Sequence, residues 1–215
     1  KCSSQFAIAC SGGLDSMVLL DLCAWLKTSQ KKLDFLVCHI DHSQRSKSQK
    51  DEQLVQKTAA QYGLAYKTEK LNLPKNSSEQ TLRLARYEAL AKLSQNRVIL
   101  TAHHTDDDLE TYLFRMIRGA NPETIQGIPR RTILKTNQGP AVIGRPLLSC
   151  WKNELLDYAS AQKLKWREDS SNCLRKYARN QIRLDLIPLL EKLRSGSKKR
   201  ILNFFYQLQN LQESR

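Results

Sequence analysis

Short apolar runs along this chain alternate with longer stretches in which apolar residues return every three or four positions. Phe6-Ala7-Ile8-Ala9-Cys10 reads as a buried strand, and Val18, Leu19, Leu22, Trp25 and Leu26 follow at helical spacing. Leu33 to Cys38 predicts a second strand, running into His39-Ile40-Asp41-His42-Ser43-Gln44-Arg45. Leu54, Val55, Thr58, Ala59 and Tyr62 mark a helix that Gly63 ends, and Ala65 to Leu71 is a weaker third strand. Asn76, with Glu79 three residues on, predicts a helix start, with Leu82, Ala85, Leu90 and Leu93 buried and Arg83, Arg86 and Tyr87 on another side. Val98-Ile99-Leu100 is a fourth strand. The next helix carries Leu109, Tyr112, Leu113, Met116 and Ile117 on one face and Asp107 and Glu110 on the other, and Gly119 stops it.

Residues 119–131 lack periodicity and read as a mobile loop. Ile133-Leu134 and Val142-Ile143 suggest a hairpin around Asn137-Gln138-Gly139-Pro140, and a helix runs from Lys152 to about Gln162. A further helix spaces Arg175, Arg179 and Arg183 four apart as a positive ridge, with Pro188 near its end. After Ser195-Gly196-Ser197, Ile201 to Gln212 forms the last helix. The strand–helix alternation predicts an α/β fold: a parallel twisted sheet with helices on both faces, the first strand central, plus a C-terminal helical appendage. Residues 1–190 are expected as one domain and 191–215 as a helix or linker.

The junction Cys10-Ser11-Gly12-Gly13-Leu14-Asp15-Ser16 is a strand, a glycine turn and a helix start. Both glycines permit positive φ and close approach of a ligand to the backbone. The helix aims unpaired N–H groups at the same point, and Ser11 and Ser16 add hydroxyls, so the turn is a phosphate cradle. The alternative is a helix end capped by Asp15 or Ser16. It lacks the Gly-Lys-Ser/Thr ending of a Walker loop and the Gly-x-Gly-x-x-Gly dinucleotide spacing.

Charge adds a second element. The chain has 215 residues, with 35 Lys and Arg against 21 Asp and Glu, for a formal charge of +14. That excess points to an acidic partner, nucleic acid first, against the alternative of a solvated lysine-rich surface. Six cysteines form no Cys-x-x-Cys pair and read as reduced core residues, which suits a cytoplasmic setting. No signal peptide opens the chain and no apolar run is long enough to span a bilayer, so no membrane partner is expected. A chain beginning at Lys1 is expected to be a fragment or a trimmed protein. Asp15, Asp41 and Asp106/Asp107 sit at the ends of strands and are expected to converge, though each also suits a cap. His103-His104 lacks the spacing of a metal site, which leaves proton transfer or phosphate contact.

These motifs resemble those of the N-type ATP pyrophosphatases, the PP-loop ATPases with an adenine nucleotide alpha-hydrolase-like fold. Within them, the resemblance is to the tRNA(Ile)-lysidine synthetase family. It rests on Ser11–Ser16, Ile40-Asp41-His42…Arg45, Arg83…Arg86-Tyr87, Thr101-Ala102-His103-His104…Asp106-Asp107…Glu110-Thr111…Arg118-Gly119, Arg145-Pro146-Leu147-Leu148 and Glu168-Asp169-Ser170-Ser171-Asn172…Arg179-Asn180…Arg183. Ser43-Gln44 stands where the family usually has Gly-Leu, and Thr105 and Asp108 replace a common Ala and Gln.

The resemblance implies a ligase that uses ATP and Mg2+. It would adenylate the first anticodon cytidine of tRNA(Ile) with a CAU anticodon, then join free L-lysine to carbon 2 to form lysidine, changing codon reading from AUG to AUA. ATP binding then falls to Ser11, Gly12, Gly13, Leu14, Asp15, Ser16, Asp41 and His42, with Asp15 the Mg2+ candidate. Asp15, His104 and Asp107 are the catalytic candidates. Asp107 and Glu110 would bind the lysine ammonium, unless they form only a solvated face. Arg83, Arg86, Arg118, Arg130, Arg131, Arg179 and Arg183 are candidates for tRNA phosphate, or for internal ion pairs. The 119–131 loop is either a lid over the flipped cytidine or a connector. A homodimer is the candidate assembly. The competing readings are another adenylating PP-loop enzyme, such as a thiolase or amidotransferase-type ligase, and a non-catalytic tRNA- or nucleotide-binding module.

Overall fold

The computed structural model describes residues 5–41, 48–74, 77–168 and 178–213. They form two compact units, one from the residues up to His103 together with Arg130–Glu168, the other from His104–Pro129 and the residues after Glu168.

The first unit holds a six-stranded sheet: β1 (Gln5–Ala9), β2 (Asp34–Asp41), β3 (Ala65–Lys70), β4 (Val98–Leu100), β5 (Arg131–Thr136) and β6 (Gly139–Gly144), in the order β3-β2-β1-β4-β6-β5. All neighbours are parallel except the β5–β6 hairpin. β1 lies inside the sheet, with Ala7 beside Leu36 on one flank and Ile99 on the other. The chain leaves β1 for β2 on one side and reaches β4 on the other, so the end of β1 is the switch point at which such sheets open a crevice. Successive β1 residues face opposite layers: Ile8 packs with Val18, Leu19, Val37, Val55 and Leu155, and Ala7 with Leu36, Leu90, Ile99 and Ile143. Helices α1 (Leu14–Ser29) and α2 (Ser48–Gln61) and, further along the chain, α5 (Lys152–Ala161) thus cover one face, and α3 (Glu79–Ser94) the other.

Local readings differ from the sequence at four points in this unit. Trp25 is exposed, because the first half of α1 is buried nearly all round and its apolar spacing does not mark the inward side. Among the described residues α3 is capped by Ser78, whose hydroxyl accepts from Thr81 N at 3.1 Å; Asn76 lies outside them. Gly139 and Pro140 belong to β6, so the hairpin turn is Asn137-Gln138. Only Gly12 of the glycine pair takes a positive φ, at +88°; Gly13 is extended, at −78°.

The second unit is helical: α4 (Thr105–Ile117), α6 (Ala178–Gln181), a π-helical turn (Ile182–Leu186), α7 (Ile187–Leu193) and α8 (Ser197–Glu213). Tyr112 of α4 stacks on Phe205 of α8 at 4.6 Å, and its hydroxyl donates to Gln209 at 2.8 Å. The π turn has a local cause. Pro188, in the first turn of α7 rather than near a helix end, has no N–H for the carbonyl four residues back, and Ile187 N reaches instead to Ile182 O. No helix among the described residues is long and apolar enough to cross a membrane.

Candidate functional site

In the first unit, the turn after β1 is built as the glycine pattern requires. Gly12 is buried with positive φ, and a Cβ there would meet Asp51 O at 3.4 Å and Val55 Cγ2 at 3.5 Å. Gly13 is the N-cap of α1 and supplies no side chain, so neither Asp15 nor Ser16 caps the helix. Ser16 is buried. Its hydroxyl donates to Gly13 O at 2.9 Å and accepts from Ser11 N at 3.2 Å, so it braces the turn, while Ser11 is the exposed hydroxyl. Leu14 points into the core and contributes only its backbone N–H. A glycine turn without side chains, one exposed hydroxyl and an open helix start fit a phosphate chain.

Around this turn stand groups that short-range reading did not find. Lys152 Nζ, in the first turn of α5, lies 2.5 Å from Asp15 Oδ1. Arg167 donates its backbone N–H to Gly12 O at 3.0 Å and its Nε pairs with Asp51 Oδ1 at 2.5 Å. His39 is buried with Nδ1 at 2.8 Å from Cys10 O; a carbonyl only accepts, so that nitrogen carries the proton and ties β2 to the end of β1. Asp41 ends β2 and is buried. His42 lies outside the described residues. No group of three or more His, Cys, Asp or Glu among the described residues is placed to hold a metal ion alone.

Arg83 and Arg86 lie over the Tyr87 ring, 5.8 and 5.5 Å from its centroid. Arg145 is buried and donates to Thr132 Oγ1 at 2.8 Å, a neighbour role the Arg-Pro-Leu-Leu motif does not reveal. Arg130 and Arg131 are exposed, the latter opening β5. Burial pushes the Cys10 thiol up to about 11 and those of Cys23 and Cys38 up to about 12, so these cysteines are protonated core residues.

The second unit carries the acidic cluster, and it is not a solvated face. Glu110 is 4% exposed and Asp108 3%, because α4 is packed on two sides. Arg183, set on the π turn, donates to Glu110 Oε1 at 2.5 Å and Oε2 at 2.8 Å, and to Asp107 Oδ1 at 3.3 Å. Arg183 thus makes the internal ion pair. Asp107 Oδ2 also accepts from His104 N at 3.0 Å, closing the first turn of α4, and the buried His104 ring lies 3.5 Å from Asp107 and 3.8 Å from Asp106. Lys198 Nζ pairs with Asp106 Oδ1 at 3.1 Å. Burial raises the Glu110 pKa above the ordinary glutamate value, with Arg183 opposing. Asp106, Asp107 and Glu110 thus gather three carboxylates around the cations of Arg183 and Lys198 and the His104 ring.

Asp108 does different work. Its carboxylate accepts from Ile128 N at 2.5 Å and from the Tyr206 hydroxyl at 3.0 Å, and burial raises its pKa. With the Arg115 guanidinium on the Gln126 carbonyl, this pins the second half of the 119–129 segment, where Ile125 and Gly127 are buried. The segment is irregular, as its lack of periodicity predicts, but it is held at these points. A Cβ at Gly127 would fall on the Asp108 carboxylate and the Tyr112 ring. Gly127→Ala is therefore expected to lower stability by about 1–3 kcal/mol, read from the midpoint of chemical denaturation. Arg118 and Arg179 both lie over the Phe114 ring, at 5.2 and 5.4 Å; Arg175 lies outside the described residues.

Comparison with known proteins adds the following. The PP-loop domain model matches residues 1–190. The chain is 36% identical over 193 residues to a tRNA(Ile)-lysidine synthase of Exiguobacterium sibiricum, covering 88% of this chain and 44% of that protein. It is 37% identical over 190 residues to one of Pseudomonas fluorescens, covering 87% and 42%. The chain therefore spans less than half the length of these relatives. Among solved structures, a U34-tRNA thiolase of Methanococcus maripaludis superposes with a TM-score of 0.70 at 17% identity over 95% of this chain and 72% of that one. An NMN synthetase of Francisella tularensis gives 0.52 at 15% over 98% and 87%. At these identities the structures speak for the fold.

Proposed function

Because the chain belongs to the PP-loop domain family, we propose that it is the catalytic part of an ATP-dependent ligase that forms lysidine in a CAU-anticodon isoleucine tRNA. The turn at Gly12 carries this reading, supported by the lysidine synthase relatives. The backbone N–H groups of Gly13, Leu14 and Asp15 and the Ser11 hydroxyl hold the phosphates of ATP. Lys152, paired with Asp15 at the same turn, faces the anion, and Asp15 would be the protein carboxylate that holds Mg2+. Bound there, the ion would supply neutralisation of charge on the phosphates.

Oxygen 2 of the cytidine attacks the α phosphorus and pyrophosphate leaves. The ε-amine of lysine then bonds to carbon 2 as the C–O bond to AMP breaks, so the codon read becomes AUA instead of AUG. The lysine ammonium arrives protonated, with an ordinary pKa of about 10.4. The carboxylates of Asp106, Asp107 and Glu110 receive it, and His104 or Asp107 takes its proton. Arg83, Arg86, Arg130 and Arg131 contact tRNA phosphate.

The test is incubation of the chain with Mg-ATP, labelled lysine and a CAU transcript. Lysine is expected to enter the anticodon cytidine, read by mass spectrometry, with one pyrophosphate released per lysine. Pyrophosphate release with no lysine incorporation would point to another PP-loop ligase, and no turnover to a binding module. The six cysteines form no Cys-x-x-Cys pair, which speaks against thiolation.

A further inference from the structure

The second unit holds an open cavity of about 720 Å³ that the chemistry above does not use. Its lining is mainly apolar, with Phe114 and Ile117 from α4 and Ile182, Leu186 and Leu189 from the helical run after it, and that run also brings Gln181 and the Asp185 carboxylate to the wall. Ile117 is 61% exposed and Leu189 52%, so apolar surface stands open to water there. Arg118 is also part of the wall, and Arg118 and Arg179 both lay guanidinium groups over the Phe114 ring. Neither guanidinium makes an ion pair among the described residues.

From this the geometry points to a subsite for an unpaired RNA nucleotide, its base slotted against the Phe114–arginine stack and its phosphate on Arg118, the arginine of the cavity wall. The inference rests on the RNA-acting function proposed above and deepens it. A planar apolar wall attracts any base through its π face, and a guanidinium offers both a second stacking plane and a phosphate fork. The cavity falls within the roughly 300–1,000 Å³ of sites that enclose a small ligand. A peptide helix would also value the apolar wall, but two cations over one ring, without an ion pair among the described residues, on a chain of net charge +14, match an anionic aromatic partner better.

The experiment measures binding of a fluorescent CAU anticodon stem-loop to the whole chain and to Phe114→Leu and Arg118→Ala, across a salt series, beside lysidine formation. Phe114→Leu keeps an apolar side chain and removes the ring; it is expected to weaken binding about 5- to 100-fold with an unchanged salt slope. Arg118→Ala, at an exposed position, is expected to fold normally and to reduce the slope by about 0.7. Wild-type affinity and slope in the correctly folded Arg118→Ala chain overturn the subsite, even where lysidine still forms. Loop RNA binding that depends on Phe114 and Arg118 in a chain that forms no lysidine supports the subsite and removes the catalytic reading instead. Unchanged RNA affinity with an altered oligomeric state of Phe114→Leu in sedimentation identifies a protein-docking groove and also overturns it.

Discussion

Glu110→Ala is expected to abolish lysine incorporation and to destabilise the second unit by about 2–4 kcal/mol. Arg183 fastens both oxygens of this carboxylate, at 2.5 and 2.8 Å, in a position only 4% exposed. Removing one partner of a buried pair leaves the other charge without its counter-ion, and that penalty reaches about 3–5 kcal/mol for fully buried pairs. The lower range applies because the Arg183 side chain is 39% exposed and keeps Asp107 at 3.3 Å. Denaturant midpoints of wild type and variant read the loss.

Glu110→Gln separates stability from chemistry. It keeps the volume and one acceptor, so a folded protein is expected, with the KM for lysine raised at least about 10-fold. Adenylation of the tRNA, the earlier step of the proposed reaction, is expected to be unchanged. Equal impairment of both steps would show that Glu110 serves only the fold.

The pH behaviour follows from the same site. Burial lifts the folded-state pKa of Glu110 above its unfolded value, so the folded chain binds this proton more tightly. The stabilisation from that proton is full below the ordinary glutamate pKa of 4.5 and is lost as pH rises through the raised value. That part of the pH dependence disappears in Glu110→Gln.

The second large effect falls on the phosphate turn. Gly12→Ala is expected to reduce ATP-dependent pyrophosphate release about 100-fold or more and to lower stability by about 1–2 kcal/mol. A side chain at φ +88° is strained, and its Cβ would fill the contact distance to Asp51 O at 3.4 Å and Val55 Cγ2 at 3.5 Å, leaving no room for a ligand on that side. The turn then shifts, and with it the donors that must meet the phosphates; loss of a single preorganised donor alone costs about 100-fold or more. Gly13→Ala is the contrast. At φ −78°, with its nearest neighbour the Ser11 hydroxyl at 3.6 Å, the added methyl is expected to change stability by no more than about 0.5 kcal/mol. Equal destabilisation by both alanines, measured by thermal unfolding, would remove the argument from positive φ.

The two sites were legible to different degrees. The turn after β1 lies within a dozen residues of continuous chain. Its strand, glycines and helix are local, and the apolar run, the missing side chains and the 3.6-residue period announce them directly. The same holds for the strand–helix alternation, which dictates a parallel sheet with β1 inside. The amino-acid order also placed Asp107 and Glu110 on one helical face, because that follows from helix geometry alone.

What covers that face does not follow from helix geometry. Arg183 lies 73 positions from Glu110, Lys152 lies 137 from Asp15, and Lys198 lies 92 from Asp106. Such pairs exist only once separate elements have packed, and nothing in the residues near either partner specifies the other. Packing also decided which polar face is dry. The Asp107–Glu110 face can be read on its own helix as a solvated one, yet Glu110 and its neighbour Asp108 are buried, the Arg183 guanidinium closing over the first and the Tyr206 hydroxyl over the second. The π turn that carries Arg183 lies between these cases: Pro188 announces a disturbed helix, but its direction is set by what the turn packs against.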